Sequence, residues 1–501
     1  MIKKYTFFLL CICSFPFACM AEEASLVPAL IPAKTSGEIA PADIITKNHT
    51  ITIGNEIFNY ESQVGTLTIK GDDGKDRAHI FFTAYFAKDV KGPRPITFCF
   101  NGGPGSSSIW LHIGFLGPKR VVIQDEKGPT GPAHYQDNPF TLLKVSDLVF
   151  IDPVSAGFSK AADGVEGKTF FGVGEDIDCF ANFIRSFISY FKRWDSPKYL
   201  LGESYGVTRA IGLAQKLFDN YCISLNGLVL ISGFDGQGDS DLTYSLTVPT
   251  YAATAWYHKK LALELQAKEL EELLKEVEQF CLHDLNLSFC QGDKLSPKEQ
   301  DEIAQKLSYY TGLSKEYILR DDLRVPPQHF FKELLRAEGK VCGRFDSRYV
   351  NYDLNCNGEM SKTDPSYDFI AGQFTSAHQT LLLKELGWNK NDPYWVISSK
   401  VQPWNWASMN TPQDSPAYEG WVGILKMMMT REPNLKVFLV EGYYDLAGPY
   451  FNQDYTFTHL RLPTELQKNI LRHIYKAGHM PYLHEESFKA LSQDLEKFIA
   501  P

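Results

Sequence analysis

The stretch "SPKYLLGESYGVTRAIGLAQKLF", Ser196–Phe218, decides the fold. At its centre Gly202-Glu203-Ser204-Tyr205-Gly206 sets a serine between two glycines. Such a pentapeptide is only a tight turn unless a strand enters it and a helix leaves it. Tyr199-Leu200-Leu201 is a short apolar, strand-like run. Past Gly206, residues Ile211, Leu213, Ala214, Leu217 and Phe218 recur at helical spacing. The context is therefore strand–turn–helix. Small residues at 202 and 206 let strand and helix close around a strained elbow that leaves the Ser204 hydroxyl exposed.

The runs on either side extend this reading. Thr50 to Ala87 alternates as paired strands do, in "ITIGNEIFNY", "GTLTIK" and "HIFFTAYFA". "PITFCFNGG", "DLVFIDPV", "NGLVLISGF", "KVFLVEGYYD" and "HIYKAGH" are short apolar runs that end in turn residues. Runs without polar alternation suit parallel strands buried on both faces. The expected class is α/β, an α/β-hydrolase fold: a central, mostly parallel sheet with N-terminal antiparallel hairpin strands and a helical lid insertion. In the insertion, Leu261–Phe280 carries Leu263, Ala267, Leu270, Leu274 and Val277 on one stripe. At under three heptads it reads as a cap helix rather than a coiled coil. Ser296-Pro297 opens a second helix through about Tyr310. The expected division is a signal peptide over 1–21, an N-terminal extension over 22–50, core over 51–236, lid over 237–365 and core again over 366–501.

Composition bounds the rest. The chain has 501 residues, 44% hydrophobic and 22% charged, an ordinary globular balance. It opens with Lys3 and Lys4, the apolar run Phe7–Phe17 and a cleavage-like "ACMA" ending at Ala21. That run is too short to span a bilayer, so it reads as a secretory signal, and the product is expected to be secreted or periplasmic. Its removal takes two lysines and moves the formal charge from −10 to −12. With no basic block, no nucleic-acid partner is expected, and no membrane association after signal cleavage. The residues carry no signal for an oligomeric state. Seven cysteines follow the signal. Cys281 with Cys290, and Cys342 with Cys356, are candidate local disulfides in an exported protein. There is no Cys-x-x-Cys, and no cofactor is expected. Asn48 and Asn286 fit the glycosylation pattern.

A serine nucleophile needs a base for its proton and a carboxylate to orient that base. In an α/β-hydrolase sheet the order is Ser, acid, His. "KVFLVEGYYD" nominates Asp445 over Glu441, which sits at the strand end rather than on the loop. "HIYKAGHMPYLH" nominates His479, which follows a turn after a short strand; His473 precedes the strand and His484 begins the next helix. An oxyanion hole needs backbone N–H groups, one from Tyr205 and one from the glycine-rich loop Asn101–Ser108. "DLNCNGEMSKTD" matches part of a calcium loop, with Asp353, Asn355, Asn357 and Asp364 as weak candidate ligands. It ends in Asp rather than Glu and holds Cys356, so a polar loop is the favoured reading and no metal is expected.

Together "NGGPGSSS", "FIDPVSAGFS", "GESYG", "EGYYDLAGP" and "AGHM", in this order, resemble the serine carboxypeptidase family, in a bacterial-type member. The resemblance runs from about Ile51 to the C-terminus. It implies an α/β-hydrolase fold and removal of single C-terminal residues from peptide substrates through an acyl-enzyme. By it Ser204 is the nucleophile, Asp445 and His479 the relay, and Gly103 and Tyr205 the oxyanion donors. Asn101 and Glu203 would bind the substrate carboxylate. An esterase or acyltransferase on the same scaffold is the alternative, and a non-catalytic binding protein a more distant one. Three positions depart from the family pattern: Cys99 stands for Trp, Ser106 for Cys, and Phe115 for the Glu that pairs with the one before the nucleophile. Phe115 leads to the expectation that Glu203 lacks a partner carboxyl and that a free C-terminus is weakly discriminated.

Overall fold

The structure, a computed structural model, describes residues 42–90, 92–121, 123, 133–233, 240–408 and 421–500. The expected signal peptide lies outside them. Nine strands in sequence, β1 (Ala42–Ile53), β2 (Glu56–Lys70), β3 (Asp76–Ala87), β4 (Ile96–Phe100), β5 (Asp147–Ile151), β6 (Lys198–Glu203), β7 (Gly227–Ile231), β8 (Lys436–Gly442) and β9 (Ile470–Tyr475), build one sheet. Their spatial order is β1-β2-β3-β5-β4-β6-β7-β8-β9, and the short strand Lys160–Ala161 pairs with β3. From β5 to β9 every pairing is parallel, and β1, β2 and β3 join by antiparallel ladders. This is the mixed α/β sheet expected from the apolar runs. The first strand begins at Ala42, inside the stretch assigned to the N-terminal extension.

Strands β4 to β7 are buried at every position. Their side chains alternate between two cores. Phe98, Leu200, Leu228 and Leu230 face one, with the helices α1 (Val173–Tyr190) and α2 (Tyr205–Tyr221). Cys99, Leu201, Val229 and Ile231 face the other. Each fully buried aliphatic side chain contributes about 1.5–3 kcal/mol relative to exposure, so the central strands fix the register from which the loops project.

Between β7 and β8 the chain adds helices that pack on a third core of their own. Among these are α3 (Asp241–Tyr257), α4 (Leu270–Phe280) and α5 (Pro297–Thr311). The α5 start follows its sequence signal, a full capping box between Ser296 and Glu299 with Pro297 in the first turn. The Leu261–Phe280 stripe behaves differently. Its regular helix begins only at Leu270, and Leu263 is exposed. The Trp256 indole donates to the Lys268 carbonyl at 3.1 Å, and Gln266 donates to the Trp256 carbonyl at 2.7 Å. The first of these captures a carbonyl that a continuous helix would need, and the second ties the Gln266 side chain to the end of α3. A short antiparallel pair, Lys340–Cys342 with Val350–Tyr352, precedes α6 (Pro365–Leu381). Tyr444, Leu446 and Tyr450, on and just after the loop leaving β8, belong to the same third core.

Neither expected disulfide is formed: all seven described cysteines are free. Cys281 and Cys290 lie nine positions apart on one continuous helical run. Such a separation is about 13 Å along a helix axis, beyond the reach of a disulfide. Cys342 is buried on its strand opposite Val350, and Cys356 lies in the turn beyond the partner strand.

Candidate active site

Strand β6 ends at Glu203, and α2 begins at Tyr205. Ser204 between them has φ 60° and ψ −128°, a conformation that costs a non-glycine residue about 1–3 kcal/mol. The two glycines permit it. A Cβ on Gly202 would lie 2.0 Å from the Gly206 carbonyl oxygen. The Ser204 N–H is secured to the Ile231 carbonyl at 2.9 Å. Strain held in this way marks a functional turn rather than a connecting one.

Ser204 lines a cavity of about 110 Å³ together with His479, Asn101, Gly103 and Glu203. His479 follows β9 through a turn, and its Nδ1 is 2.7 Å from Asp445 Oδ2. Asp445 is fully buried, and its other oxygen accepts from the Ala447 and Gly448 N–H groups at 2.8 and 2.9 Å. The His479 N–H donates to the Phe345 carbonyl at 2.6 Å, so the imidazole is fixed from backbone and ring. Burial alone pulls the imidazole pKa down; the Asp445 charge and hydrogen bond, with Glu203, more than reverse this and hold it above its usual value. The rival residues sit elsewhere. Glu441 is buried at the end of β8, and burial pushes its carboxyl up to about 8. His473 stacks on Phe438 within β9, and His484 caps the helix α7 (Glu485–Ile499).

The glycine-rich loop runs against the elbow. A Cβ on Gly102 would lie 2.4 Å from the Tyr205 nitrogen, and Gly103 has φ 103°. The Gly103 and Tyr205 backbones are thus brought beside Ser204. Ser106, where the family pattern has Cys, accepts the Trp110 indole N–H at 3.1 Å and so orients a cavity wall.

Asn101 and Glu203 also meet. Asn101 Nδ2 donates to Glu203 Oε1 at 2.7 Å, and the Tyr482 hydroxyl donates to Oε2 at 2.7 Å. Burial pushes the Glu203 carboxyl up to about 7, against the two hydrogen bonds and His479, which lower it. Phe115 is buried and stacks on Tyr482, with centroids 5.2 Å apart and planes 5° apart. Glu203 is thus served by an amide and by a phenol held against the Phe115 ring, in place of the second carboxyl that the family pattern carries.

Sequence reasoning missed Tyr482 and the support beneath the elbow. Arg209 is fully buried and pairs with Asp176 at 2.7 Å. It also donates to the Asn101 carbonyl at 2.6 Å, while the Tyr205 hydroxyl donates to Asp176 at 3.1 Å. Burial raises the Asp176 carboxyl, and Arg209 and Tyr205 offset this only in part. Arg209 sits five residues after the nucleophile, but nothing in that spacing gives its partner.

The Asp353–Asp364 loop is organised by a cation of the chain itself. Buried Lys332 pairs with the Asp353 carboxylate and donates to the Asn355 carbonyl at 2.5 Å. Asn355 Oδ1 accepts the Asn357 N–H at 3.1 Å. Asp364 caps α6 through Ser366 and accepts the Arg344 N–H at 3.0 Å. The side-chain oxygens of Asp353, Asn355 and Asp364 are thus engaged within the chain, and no cluster of three or more His, Cys, Asp or Glu that could hold a metal occurs among the described residues.

A model of the serine carboxypeptidase family matches residues 54–492. Serine carboxypeptidase-like 35 of Arabidopsis thaliana is 24% identical over 271 residues, 53% of this chain and 52% of its own length. The pheromone-processing carboxypeptidase KEX1 of Yarrowia lipolytica is 30% identical over 184 residues, 36% of this chain and 28% of its own. The chain thus spans about half the length of the first of these relatives and less of the second. The solved structure of the prohormone-processing carboxypeptidase KEX1(delta)P of Saccharomyces cerevisiae aligns over 88% of this chain and 91% of its own, with 18% identity and a TM-score of 0.51, a likeness of fold. The family model covers most of the sequence and spans the elbow, the acid loop and the histidine turn, and the chain belongs to the serine carboxypeptidase family.

Proposed function

We propose that the protein is a serine-type carboxypeptidase that releases single residues from the C-termini of peptides. Ser204 attacks the last peptide carbonyl and His479 takes its proton, held in register by Asp445. The Gly103 and Tyr205 N–H groups receive the developing oxyanion. His479 returns the proton to the leaving amine, and water then cleaves the acyl-enzyme. The observation that carries this reading is the His479–Asp445 bond beside a strained Ser204 in one cavity. A fluorophosphonate probe tests it: Ser204 should be the labelled residue in folded protein, and an unlabelled Ser204 would defeat the enzyme reading in favour of a binding protein.

An esterase or acyltransferase would use the same nucleophile and relay. The buried Asn101–Glu203 pair favours the peptidase, because it offers a place for a substrate carboxylate. Below about 7 the Glu203 carboxyl is neutral and can donate to that carboxylate; above it the ionised form repels it. Ester hydrolysis needs only neutral His479 and is lost as pH falls through the raised histidine pKa. Hydrolysis of free-carboxylate peptides should carry a second, alkaline limb as Glu203 ionises. Tyr482→Phe removes a hydrogen bond that favours ionised Glu203, so this limb should move to higher pH while ester turnover stays within about twofold. Parallel kcat/KM profiles for a peptide and its ester analogue decide this; an unmoved alkaline limb would dissociate Glu203 from carboxylate binding.

The remaining assignments complete the proposal. Residues 1–21 direct export and the mature chain begins near Glu22; N-terminal sequencing of secreted or periplasmic protein checks it. No helix among the described residues is long and apolar enough to cross a membrane. The segment 237–365 is a lid inserted between the core parts 51–236 and 366–501.

A further inference from the structure

Arg344 is an exposed residue that lines the cavity holding Ser204 and His479. Its backbone is tied on both sides. The Arg344 N–H donates to Asp364 Oδ1 at 3.0 Å, and its carbonyl accepts the Leu446 N–H at 3.1 Å, one residue past Asp445. Its guanidinium stacks on Phe345 at 5.0 Å, and the Phe345 ring lies 5.1 Å from the His479 ring. Among the described residues no carboxylate forms an ion pair with it. A basic side chain thus stands ordered at the reacting centre with its donors open.

That position has a cost. The Arg344 charge opposes protonation of His479, which must become imidazolium during acyl transfer. The opposition disappears when a substrate brings a negative charge to the guanidinium. The other walls, Trp110, Tyr367, Ile397 and Met480, carry no charge. On the proposed function the substrate's terminal carboxylate goes to Asn101 and Glu203, which leaves Arg344 for a second anionic group. The cavity, about 110 Å³, admits a small side chain.

We propose that Arg344 is a specificity residue that pairs with an acidic side chain flanking the scissile bond, so that peptides with Asp or Glu at the last or penultimate position are preferred substrates. The inference rests on the carboxypeptidase reading above. A guanidinium–carboxylate pair at a partly desolvated mouth supports a preference of about tenfold.

The test compares kcat/KM at pH 6 for peptide pairs that differ only as Glu against Gln, or Asp against Asn, at each of the two positions. Wild type should favour the acid by about tenfold at one of them. Arg344→Gln should erase that preference, bringing the acid and amide members of the pair to within about twofold of each other whatever its shared effect on both through His479. Arg344→Lys should keep part of it, because the charge remains but the forked geometry is lost. Equal loss on the acid and amide members of each pair would overturn the proposal, and loss confined to free over amidated C-termini would assign Arg344 to the terminal carboxylate instead. No wild-type preference would also overturn it. Absence of any peptide hydrolysis by wild type that still labels at Ser204 would overturn the carboxypeptidase reading itself, and with it this one.

Discussion

Ser204→Ala lowers kcat/KM on peptides and esters by about 10⁴- to 10⁶-fold, because the acyl acceptor is gone and only binding and oxyanion contacts remain. Labelling by a fluorophosphonate disappears with it. Stability should hardly change, since alanine meets the same backbone conformation, φ 60° and ψ −128°. Ser204→Gly separates catalysis from strain. It should be equally inactive yet more stable than Ser204→Ala by about 1 kcal/mol, because glycine adopts this conformation freely. Urea denaturation of the two variants reads the difference. A Ser204→Ala protein with a tenth of wild-type activity would remove Ser204 from the chemistry, and equal stabilities would remove the strain.

Arg209→Met has the second largest expected effect, and it acts on the fold. The guanidinium is fully buried against Asp176, Asn101 and the rings of Phe180 and Tyr205. Its loss leaves the buried Asp176 carboxylate without its counter-charge, held only by the Tyr205 hydroxyl, and the Asn101 carbonyl without its guanidinium donor, at a cost of about 3–5 kcal/mol. The cost comes from the orphaned charge rather than from the pair, so the double variant Arg209→Met, Asp176→Leu should recover most of it. Activity should fall further than stability explains, since Arg209 holds the Asn101 backbone and Asp176 holds the Tyr205 hydroxyl. Denaturant midpoints of wild type, single and double variants form the test. A single variant as stable as wild type, or a double variant no better than the single, would contradict this account.

The sheet and the elbow were legible because their signals are local. Runs such as Ile96–Phe100 and Gly227–Ile231 have no polar alternation, and burial on both faces is the physical reason. Gly202 is required by the Gly206 carbonyl within the same turn, whereas Gly206 is required by the Phe100 carbonyl at the end of β4. Asp445 and His479 were legible from chain order and from their place after strands. What failed to show was long-range. Tyr482 reaches Glu203 from 279 residues away, and no spacing announces it. Lys332 enters the Asp353 loop from 21 residues upstream and pairs with the carboxylate that the Asp/Asn pattern offered only as a weak candidate metal ligand. The cysteine spacing was blind to Cys281 and Cys290 sharing one helical run. Along Leu261–Phe280 the periodicity was real, but the Trp256 indole claimed a carbonyl that the helix needed.

The central claim is that Ser204, His479 and Asp445 cleave peptides from the C-terminus, guided by Asn101 and Glu203. The most direct measurement is mass spectrometry of the products from one peptide presented with a free and with an amidated C-terminus, at pH 6, using the full mature chain. The account predicts stepwise loss of single C-terminal residues from the free acid, much slower release from the amide, and none with Ser204→Ala. Internal cleavage, or equal rates on both peptides, would contradict it.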